Sequence, residues 1–275
     1  MEIKGWRFYN HAAVPDCLPH EPVDITPIKD KRIWKLSDSA GKTPLLAQWT
    51  EDFDCDHETT WWYVIKDAPF VLEELPSKER KSIRQALRKC RVEKIRWEDH
   101  LEGLYACYKA AFSRYETAGK PRTVEEFYAQ CMGSSEEWWA GFDAETNMLL
   151  GYITTDVYDH CVAIVSLKFD PAFAKRQVCD ALYCTVLDHY LNQCQKRYVS
   201  SGARNVNHIS NTQEYKIRRF GYRKAYCRLC IAYRPGVRLI ISVLYIFRKL
   251  LRKFDKIRGI HLINAVLLME EIRRG

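Results

Sequence analysis

The stretch from Cys161 to Tyr233 places the strongest constraint on the fold, because strand and helix patterns alternate along it. A continuous apolar run with β-branched residues predicts the first strand, and helical spacing follows it. The predicted elements are a strand at Cys161–Phe169, a helix at Ala172–Cys194, a strand at Tyr198–Ser201, a helix at Asn207–Phe220 and a strand at Ala225–Tyr233. Two strands joined by a helix are expected to lie parallel, with a ligand site where their carboxyl ends meet.

The residues before this stretch predict a mixed α/β arrangement. Residues 100–115 carry apolar side chains at helical spacing, and Thr123 is expected to cap a second, shorter helix. Ser77 is expected to cap a basic helix earlier in the chain. The other predicted strands here are Val92–Trp97, Trp138–Phe142 and Leu149–Val157. The order from Val92 is therefore strand, two helices, three antiparallel strands, helix, strand, helix and strand.

A chain of 275 residues, 47% of them hydrophobic, is long enough to bury a full core. We expect three parts: a β-rich N-terminal extension at residues 1–75, a main domain at residues 76–233 and a basic amphipathic helical tail at residues 234–275. The strands predicted for the extension are Trp6–Tyr9, Pro44–Thr50 and Thr59–Lys66.

The net charge of +8 is concentrated in two segments. Residues 77–96 carry nine Lys and Arg against two Glu, and residues 234–275 carry ten against three acidic residues. The rest of the chain is acidic, so these segments are candidate contacts for phosphates, tRNA or an anionic membrane surface. Two solvated helix faces would explain the same pattern. The side chains of interest on the first segment are Lys78, Arg80, Lys81, Arg84 and Arg88.

The C-terminal tail combines apolar and basic residues. Val237–Phe254 has an apolar face, but its uninterrupted apolar length is only about half of the ~20 residues that a membrane-spanning helix needs. A second helical run follows at His261–Ile272. Such a tail can lie in a membrane interface, dock on the protein's own core or pair with a second copy in a homodimer.

Eleven scattered cysteines, without a recognisable signal peptide, favour reduced thiols and a cytoplasmic location. The sequence also allows a peripheral association of the protein with the inner membrane through its C-terminal tail. Cys227 and Cys230 come closest to a metal motif, but a spacing of three on a strand puts their side chains on opposite faces. No metal site is therefore predicted.

The order of elements from Val92 to Tyr233 resembles that of the GNAT acyltransferases. The basic segment Leu75–Lys89 and the motifs Arg204–His208 and Phe220–Lys224 resemble a narrower group, the single-domain relatives of the Fem-type aminoacyltransferases. The resemblance covers roughly residues 75–233. It implies a GNAT-like fold and an N-acyltransferase activity.

In the GNAT family the fourth and fifth strands splay apart, and the acyl carbonyl lies in the gap. The helix after the fourth strand receives the donor's pyrophosphate, since helix N-termini bind phosphate and backbone N–H groups can stabilise an oxyanion. The resemblance implies acyl-CoA, acetyl-CoA above all, as the donor. It assigns donor binding to Ser166, Leu167, Lys168, Phe169, Lys175, Arg176, Gln177, Val178, Cys179, Asp180 and Ala181.

One position departs from the family pattern Arg/Gln-x-x-Gly-x-Gly/Ala. Cys179 replaces the first glycine, whereas Arg176 and Ala181 are kept. Glycine there lets the backbone approach phosphate closely. Its loss leaves room for a different donor, such as aminoacyl-tRNA or a carrier-protein thioester, with the basic helix as a phosphate-contacting surface.

Acyl transfer also needs a base for the acceptor and an acid for the leaving group. His208 is a candidate for either role, because imidazole titrates near neutrality. The alternative is that His208 only caps the start of the next helix beside Asn207. Asn205 and Tyr226 complete the candidate catalytic set, while Arg204 and Asn207 are candidates for binding the acceptor or a polyanion.

The sequence thus predicts an acyltransferase that moves an acyl or aminoacyl group from a thioester or aminoacyl-tRNA to an amine or hydroxyl. The resemblance suggests a bacterial cell-envelope glycan precursor as the acceptor. The alternative is a catalytically inactive GNAT-like module that binds RNA or an anionic membrane surface. A cleft between two parting strands would favour the enzyme.

Overall fold

The computed structural model describes residues 1–114, 120–206 and 212–275. The strands are β1 (Trp6–Tyr9), β2 (Ala12–Pro15), β3 (Leu46–Glu51), β4 (Trp61–Lys66), β5 (Cys90–Ile95), β6 (Glu137–Asp143), β7 (Leu149–Val157), β8 (Cys161–Phe169), β9 (Tyr198–Ala203) and β10 (Arg223–Tyr233). The helices are α1 (Thr26–Lys29), α2 (Ser77–Lys89), α3 (Leu101–Phe112), α4 (Val124–Met132), α5 (Val178–Leu187), α6 (Thr212–Phe220), α7 (Val237–Ile246), α8 (Arg248–Leu251) and α9 (Arg258–Arg274).

The chain folds as two compact units, each assembled from stretches that are distant in sequence. The first unit comprises Met1–Tyr63, Ala203–Ser210 and Lys224–Gly275, and the second comprises Val64–Gly202 and Asn211–Arg223. The sequence boundaries expected after residues 75 and 233 stay predictions.

The predicted mixed α/β order is confirmed. β7 and β8 have the predicted bounds, and β5, β6 and β9 differ from theirs by at most two residues at either end. Thr123 caps α4 as expected, because its side chain accepts a hydrogen bond from the Glu126 amide while Glu126 bonds back to the Thr123 amide.

Two local predictions are wrong. The helix expected over Ala172–Cys194 is interrupted: a 3-10 helix at Pro171–Arg176 precedes α5, and a π-helical segment follows it at Asp188–Gln193. Gln177 separates the first two pieces because its backbone is left-handed, with φ 61°. Ser77 is the first residue of α2 rather than its cap, since Pro76 occupies the cap position and no side chain bonds there.

The second unit contains the sheet β9–β8–β7–β6–β5, in which β5 to β8 are antiparallel and β8 and β9 are parallel. On one face, α3 and α4 bury an aromatic cluster against β6 and β7 that includes Tyr108, Phe127, Trp138 and Tyr152. On the opposite face, α5 lies so close to β6 that a Cβ at Gly141 would overlap the Val178 side chain. Glycine at residue 141 therefore fixes where α5 begins relative to the sheet.

The first unit contains the β1–β2 hairpin, a parallel β2–β3 pair and an antiparallel β3–β10 pair. One apolar cluster joins Trp6 and Ala13 to the segment around Ile33. A second packs Met269 and Ile272 of α9 against Cys227 and Leu229 of β10. The predicted helical character of the tail is thus confirmed, with α9 as its buried part.

In the described part of the chain, no helix is both long enough and apolar enough to cross a lipid bilayer.

Candidate functional site

The two parallel strands of the second unit are paired only at their start. Cys161, Val162 and Ala163 of β8 face Tyr198, Val199 and Ser200 of β9. Beyond Ala163 the described strands have no further paired residues, although β8 continues to Phe169. The other edge of β8 stays paired with β7 as far as Phe169, with an irregularity at Val165. The predicted gap between the strands is therefore present, and it opens toward their carboxyl ends.

A cavity of about 610 Å³ lies beside this gap, within the range typical of small-molecule sites. Three elements supply its walls: the end of β8, the start of α5 with the turn before it, and α6. The lining residues are Leu167, Phe169, Ala174, Gln177, Val178, Cys179, Asp180, Tyr183, Thr212, Tyr215 and Arg219. The cavity thus brings together six of the eleven residues that the sequence assigned to donor binding.

The N-terminus of α5 forms one end of this cavity. Gln177 and the next three residues all line it, so the amides of the first turn lie at the wall, where a helix dipole favours an anion. Gln177 Nε2 donates to Ser82 Oγ of α2 at 2.6 Å. Gln177 Oε1 is buried and has no hydrogen-bond partner among the described residues. It is therefore an acceptor available to a ligand.

A buried ion pair closes the polar end of the cavity. The Asp180 carboxylate, in the first turn of α5, is paired with the Arg219 guanidinium of α6, and Arg219 Nε lies 3.1 Å from Asp180 Oδ1. The Tyr215 hydroxyl donates to the same carboxylate. Burial and the adjacent charge of Asp180 raise the pKa of Tyr215, so its phenol stays protonated.

Cys179 lines the cavity at the position of the family's first glycine. Burial, and then the charge of Asp180, raise the pKa of its thiol well above the ordinary value. A thiol with a raised pKa is not a ready nucleophile. Its side chain instead takes up space beside the first turn of α5.

Lys216 is a buried charged residue close to the point where the two strands part, and the sequence analysis missed it. It lies on α6 with only 7% of its surface exposed, and its ammonium donates to Ser201 Oγ of β9. Ser201 follows the last paired residue of β9, so this bond lies where the strands part. Burial lowers the pKa of Lys216 to about 8. The available signal was spacing, since Lys216 lies four residues before the buried Phe220 and hence on the same helix face.

The remaining donor-binding candidates lie elsewhere in the second unit. Ser166 and Lys168 point to the other face of β8, where they line a separate cavity of only about 40 Å³. Arg176 is held by Asp143 at 2.8 Å and by Glu145 at 3.1 Å. Neither Lys175 nor Ala181 lines the large cavity, and Ala181 is fully buried. Their roles in donor binding stay predictions.

Neither Asn205 nor Tyr226, the two predicted catalytic residues that the structure describes, is among the residues that line this cavity. Asn205 and Tyr226 belong to the first unit, as does Arg204, whose guanidinium lies 4.6 Å from the centre of the Trp62 ring. Tyr226 lies edge-on to the same indole. His208 and Asn207 lie outside the described residues. The catalytic assignment therefore stays a prediction.

The five basic residues assigned to polyanion binding lie on α2. Lys78, Lys81, Arg84 and Arg88 are exposed, whereas Arg80 is half-buried. Glu73 engages two of them, accepting from Arg80 through its carbonyl at 2.8 Å and from Arg84 through its carboxylate at 3.2 Å. The opposite face of α2 buries Ile83 and Ala86. The helix thus has the polar and apolar faces that its sequence predicts.

The described residues contain no group of three or more His, Cys, Asp and Glu side chains placed to hold a metal ion. The eleven cysteines are all present as free thiols.

Comparison with solved structures identifies the fold. The C-terminal domain of a protein assigned as a lysylphosphatidylglycerol synthetase, from Agrobacterium fabrum, superposes with a TM-score of 0.52 at 11% identity, over 86% of this chain and 82% of that one. The chain has a GNAT-like acyltransferase fold. In this GNAT-like fold β8 and β9 are the splayed pair and α5 is the helix that follows the first of them.

Two further solved structures match this chain with lower TM-scores. L-PGS from Bacillus licheniformis gives a TM-score of 0.47 at 14% identity, over 84% of this chain and 80% of that one. A GCN5-related N-acetyltransferase from Sphaerobacter thermophilus gives 0.42 at 14% identity, over 68% and 59%. No protein-family model and no curated protein matches the sequence. The narrower resemblance to Fem-type enzymes finds no support in these matches.

Proposed function

We propose that this GNAT-like protein is an acyltransferase that binds its donor in the cavity beside the gap where β8 and β9 part. The observation that carries the proposal is the separation of these strands after Ala163, with a cavity of about 610 Å³ at the opening. Past this point the edge of β8 offers backbone groups that a donor's amides can pair with, as an added strand would. Backbone N–H groups at the same edge can stabilise the oxyanion of acyl transfer.

The polar groups of the cavity suit a donor on a pantetheine arm. Such an arm carries amide N–H groups that can donate hydrogen bonds. Gln177 Oε1 is buried and accepts no hydrogen bond from the described residues, so it can accept one from the arm. A phosphate at the end of the arm would meet the first turn of α5. Because Asp180 is neutralised by Arg219, its carboxylate does not cancel this attraction.

For the chemical step, we assign proton acceptance to Lys216 acting through Ser201. A base with a pKa of about 8 is partly neutral at physiological pH and so can take up a proton. As the acceptor amine forms its bond to the acyl carbon, its proton passes by way of the Ser201 hydroxyl to Lys216. The bond from the acyl carbon to the donor's sulfur or oxygen then breaks, the leaving group departs with the bonding electrons, and it takes up the proton held by Lys216 by way of Ser201. The acceptor is an amine or a hydroxyl, and a cell-envelope glycan precursor remains a proposal from resemblance alone.

Narrowing the cavity is expected to abolish donor binding. Ala174 lines the cavity and is exposed, so Ala174→Trp should fill space without disturbing the core. Ala172 is exposed on the same 3-10 helix but does not line the cavity, which makes Ala172→Trp the matched control. We expect acetyl-CoA or CoA to raise the melting temperature of the wild type and of Ala172→Trp, and not that of Ala174→Trp. A shift that survives in Ala174→Trp would place the donor elsewhere.

The basic face of α2 favours a donor carried on RNA as a second candidate. α2 is tied to α5 through the bond from Gln177 to Ser82, so its charges lie on an element that supports the cavity. Four of these charges are exposed, and three of the four, Lys78, Lys81 and Arg88, are not bonded to Glu73. Each phosphate contact contributes about 0.7 to 0.9 to the slope of log affinity against log salt concentration.

Changing Lys78, Lys81 and Arg88 together to Ala is therefore expected to reduce the salt slope of tRNA binding by about two to three. The matched control changes three exposed lysines of the first unit, Lys29, Lys31 and Lys35, and should leave the slope unaltered. Filter binding at several salt concentrations measures both. Equal slopes for wild type and the α2 variant would mean that this face is only solvated.

A further inference from the structure

The segment formed by α7, α8 and the turn to Phe254 has two distinct faces. Its inner face packs on α9: Ile241 is buried, and the Tyr245 ring lies 4.1 Å from the Arg274 guanidinium. Asn264 of α9 donates to the Leu251 carbonyl at 3.1 Å. These contacts of the inner face hold the segment on α9.

The outer face remains exposed although it is apolar. Leu239 is 70% exposed and Ile246 is 72% exposed, whereas core residues of their size are below a tenth. This exposed apolar face consists of Leu239, Ile240, Val243, Ile246, Leu250 and Phe254. Each of them lies three or four positions from another member of the set, which puts them on one side of the helical path. A contiguous apolar surface of this kind marks an interaction site.

The charges around the exposed apolar face indicate which partner it binds. No acidic residue lies between Val237 and Phe254, and Arg238, Lys249 and Lys253 are exposed along this segment. A symmetric pairing of two copies would bring these like charges together, because a two-fold interface uses the same surface of both copies. Anionic lipid headgroups would instead neutralise them, while the apolar side chains enter the acyl region.

We propose that the exposed apolar face of α7 and α8 binds the surface of an anionic lipid bilayer. The ten residues of α7 extend about 15 Å, half the thickness of the hydrocarbon core, so the helix would lie along the surface. The apolar side chains supply the burial, and the lysines and arginine at its rim supply selectivity for negative charge.

Flotation of the full chain with lipid vesicles tests this. We expect it to float with vesicles of phosphatidylcholine and phosphatidylglycerol at 7:3, and not with phosphatidylcholine alone. Changing Leu239, Ile246 and Leu250 together to Gln should weaken binding at least about tenfold, and Lys249→Glu with Lys253→Glu should weaken it about fivefold for each charge removed. All these residues are exposed, so folding should be unaffected.

The matched control changes three other exposed apolar residues, Leu45, Met132 and Met148, to Gln and should float like the wild type. Two results would overturn the proposal. One is flotation that the apolar triple variant retains. The other is failure of the wild-type protein to float with the anionic vesicles, whether light scattering finds a monomer or a dimer. If the wild type is a dimer and the apolar triple variant is a monomer, the exposed apolar face binds a second copy instead.

Discussion

Lys216→Met is expected to give a protein that is more stable than the wild type at pH 7 and that transfers acyl groups at least about 100-fold more slowly. The wild-type ammonium is buried beside Ser201 and the Tyr183 ring, and burial alone accounts for its lowered pKa. Removing a buried charge relieves a desolvation cost. Loss of the hydrogen bond to Ser201 offsets part of this, so we expect a gain of about 2 kcal/mol.

The pH dependence gives the sign of the effect. The amine titrates at about 8 in the folded chain and near 10.5 when unfolded. Between these values the unfolded chain binds more protons, so wild-type stability rises with pH. Below pH 8 the whole cost of the buried charge remains. The advantage of Lys216→Met should therefore be largest below pH 8 and vanish by about pH 10.5, as urea denaturation across this range can measure.

Two controls separate the base role from packing. Arg218→Met removes an exposed charge from the same helix and should alter neither stability nor rate by much. Lys216→Arg keeps the charge but cannot release its proton, so it should be as slow as Lys216→Met without the gain in stability. Thiol release from acetyl-CoA with a panel of amines measures the rates. Normal turnover by Lys216→Met would remove Lys216 from the mechanism.

The features that could be predicted from the sequence are those set by residues close together in the chain. β10 alternates apolar and polar residues and β8 is a continuous apolar run. Either pattern indicates which side chains of the strand are buried, so both strands could be predicted from local sequence. The capping box of Thr123 was likewise local. The break at Gln177 escaped notice, because a left-handed backbone at a glutamine is imposed by tertiary contacts rather than by its own preference.

Site residues were predictable to the extent that they follow the strand and the turn in sequence. The resemblance assigned four successive residues of β8 to donor binding. Leu167 and Phe169 do line the cavity, but strand alternation puts Ser166 and Lys168 on the other face. Arg176 looked like a phosphate ligand until its partners Asp143 and Glu145, more than thirty residues away, were placed beside it. Pairings across such distances leave no mark on a single sequence.

The same limit applies to the division of the chain. The first unit draws Lys224–Gly275 to the N-terminal residues, and the match of β3 to β10 joins segments about 180 residues apart. In sequence these segments look separate, because the composition changes at Arg234. Which segments pack together depends on contacts between residues far apart in the chain, and the change in composition does not reveal them.

Asp180→Ala is expected to destabilise the protein by about 3 to 5 kcal/mol, the range for breaking a buried ion pair. Both partners are largely buried, with Asp180 5% and Arg219 13% exposed, so the variant leaves a guanidinium in the cavity wall without its counter-charge. The Tyr215 hydroxyl loses its acceptor as well. The loss should appear as a lower midpoint of urea denaturation at an unchanged slope.

Two further variants establish that burial, rather than charge pairing in general, sets this magnitude. The exposed pair of Arg223 with Asp67 belongs to the same unit, and Asp67→Ala should cost less than about 1 kcal/mol. Asp180→Ala combined with Arg219→Met removes both charges and should recover part of the lost stability. Arg219 also donates to Ser82 Oγ. If the double variant were less stable than Asp180→Ala, this bond would outweigh the cost of the unpaired guanidinium, and the cavity wall would not depend on the ion pair.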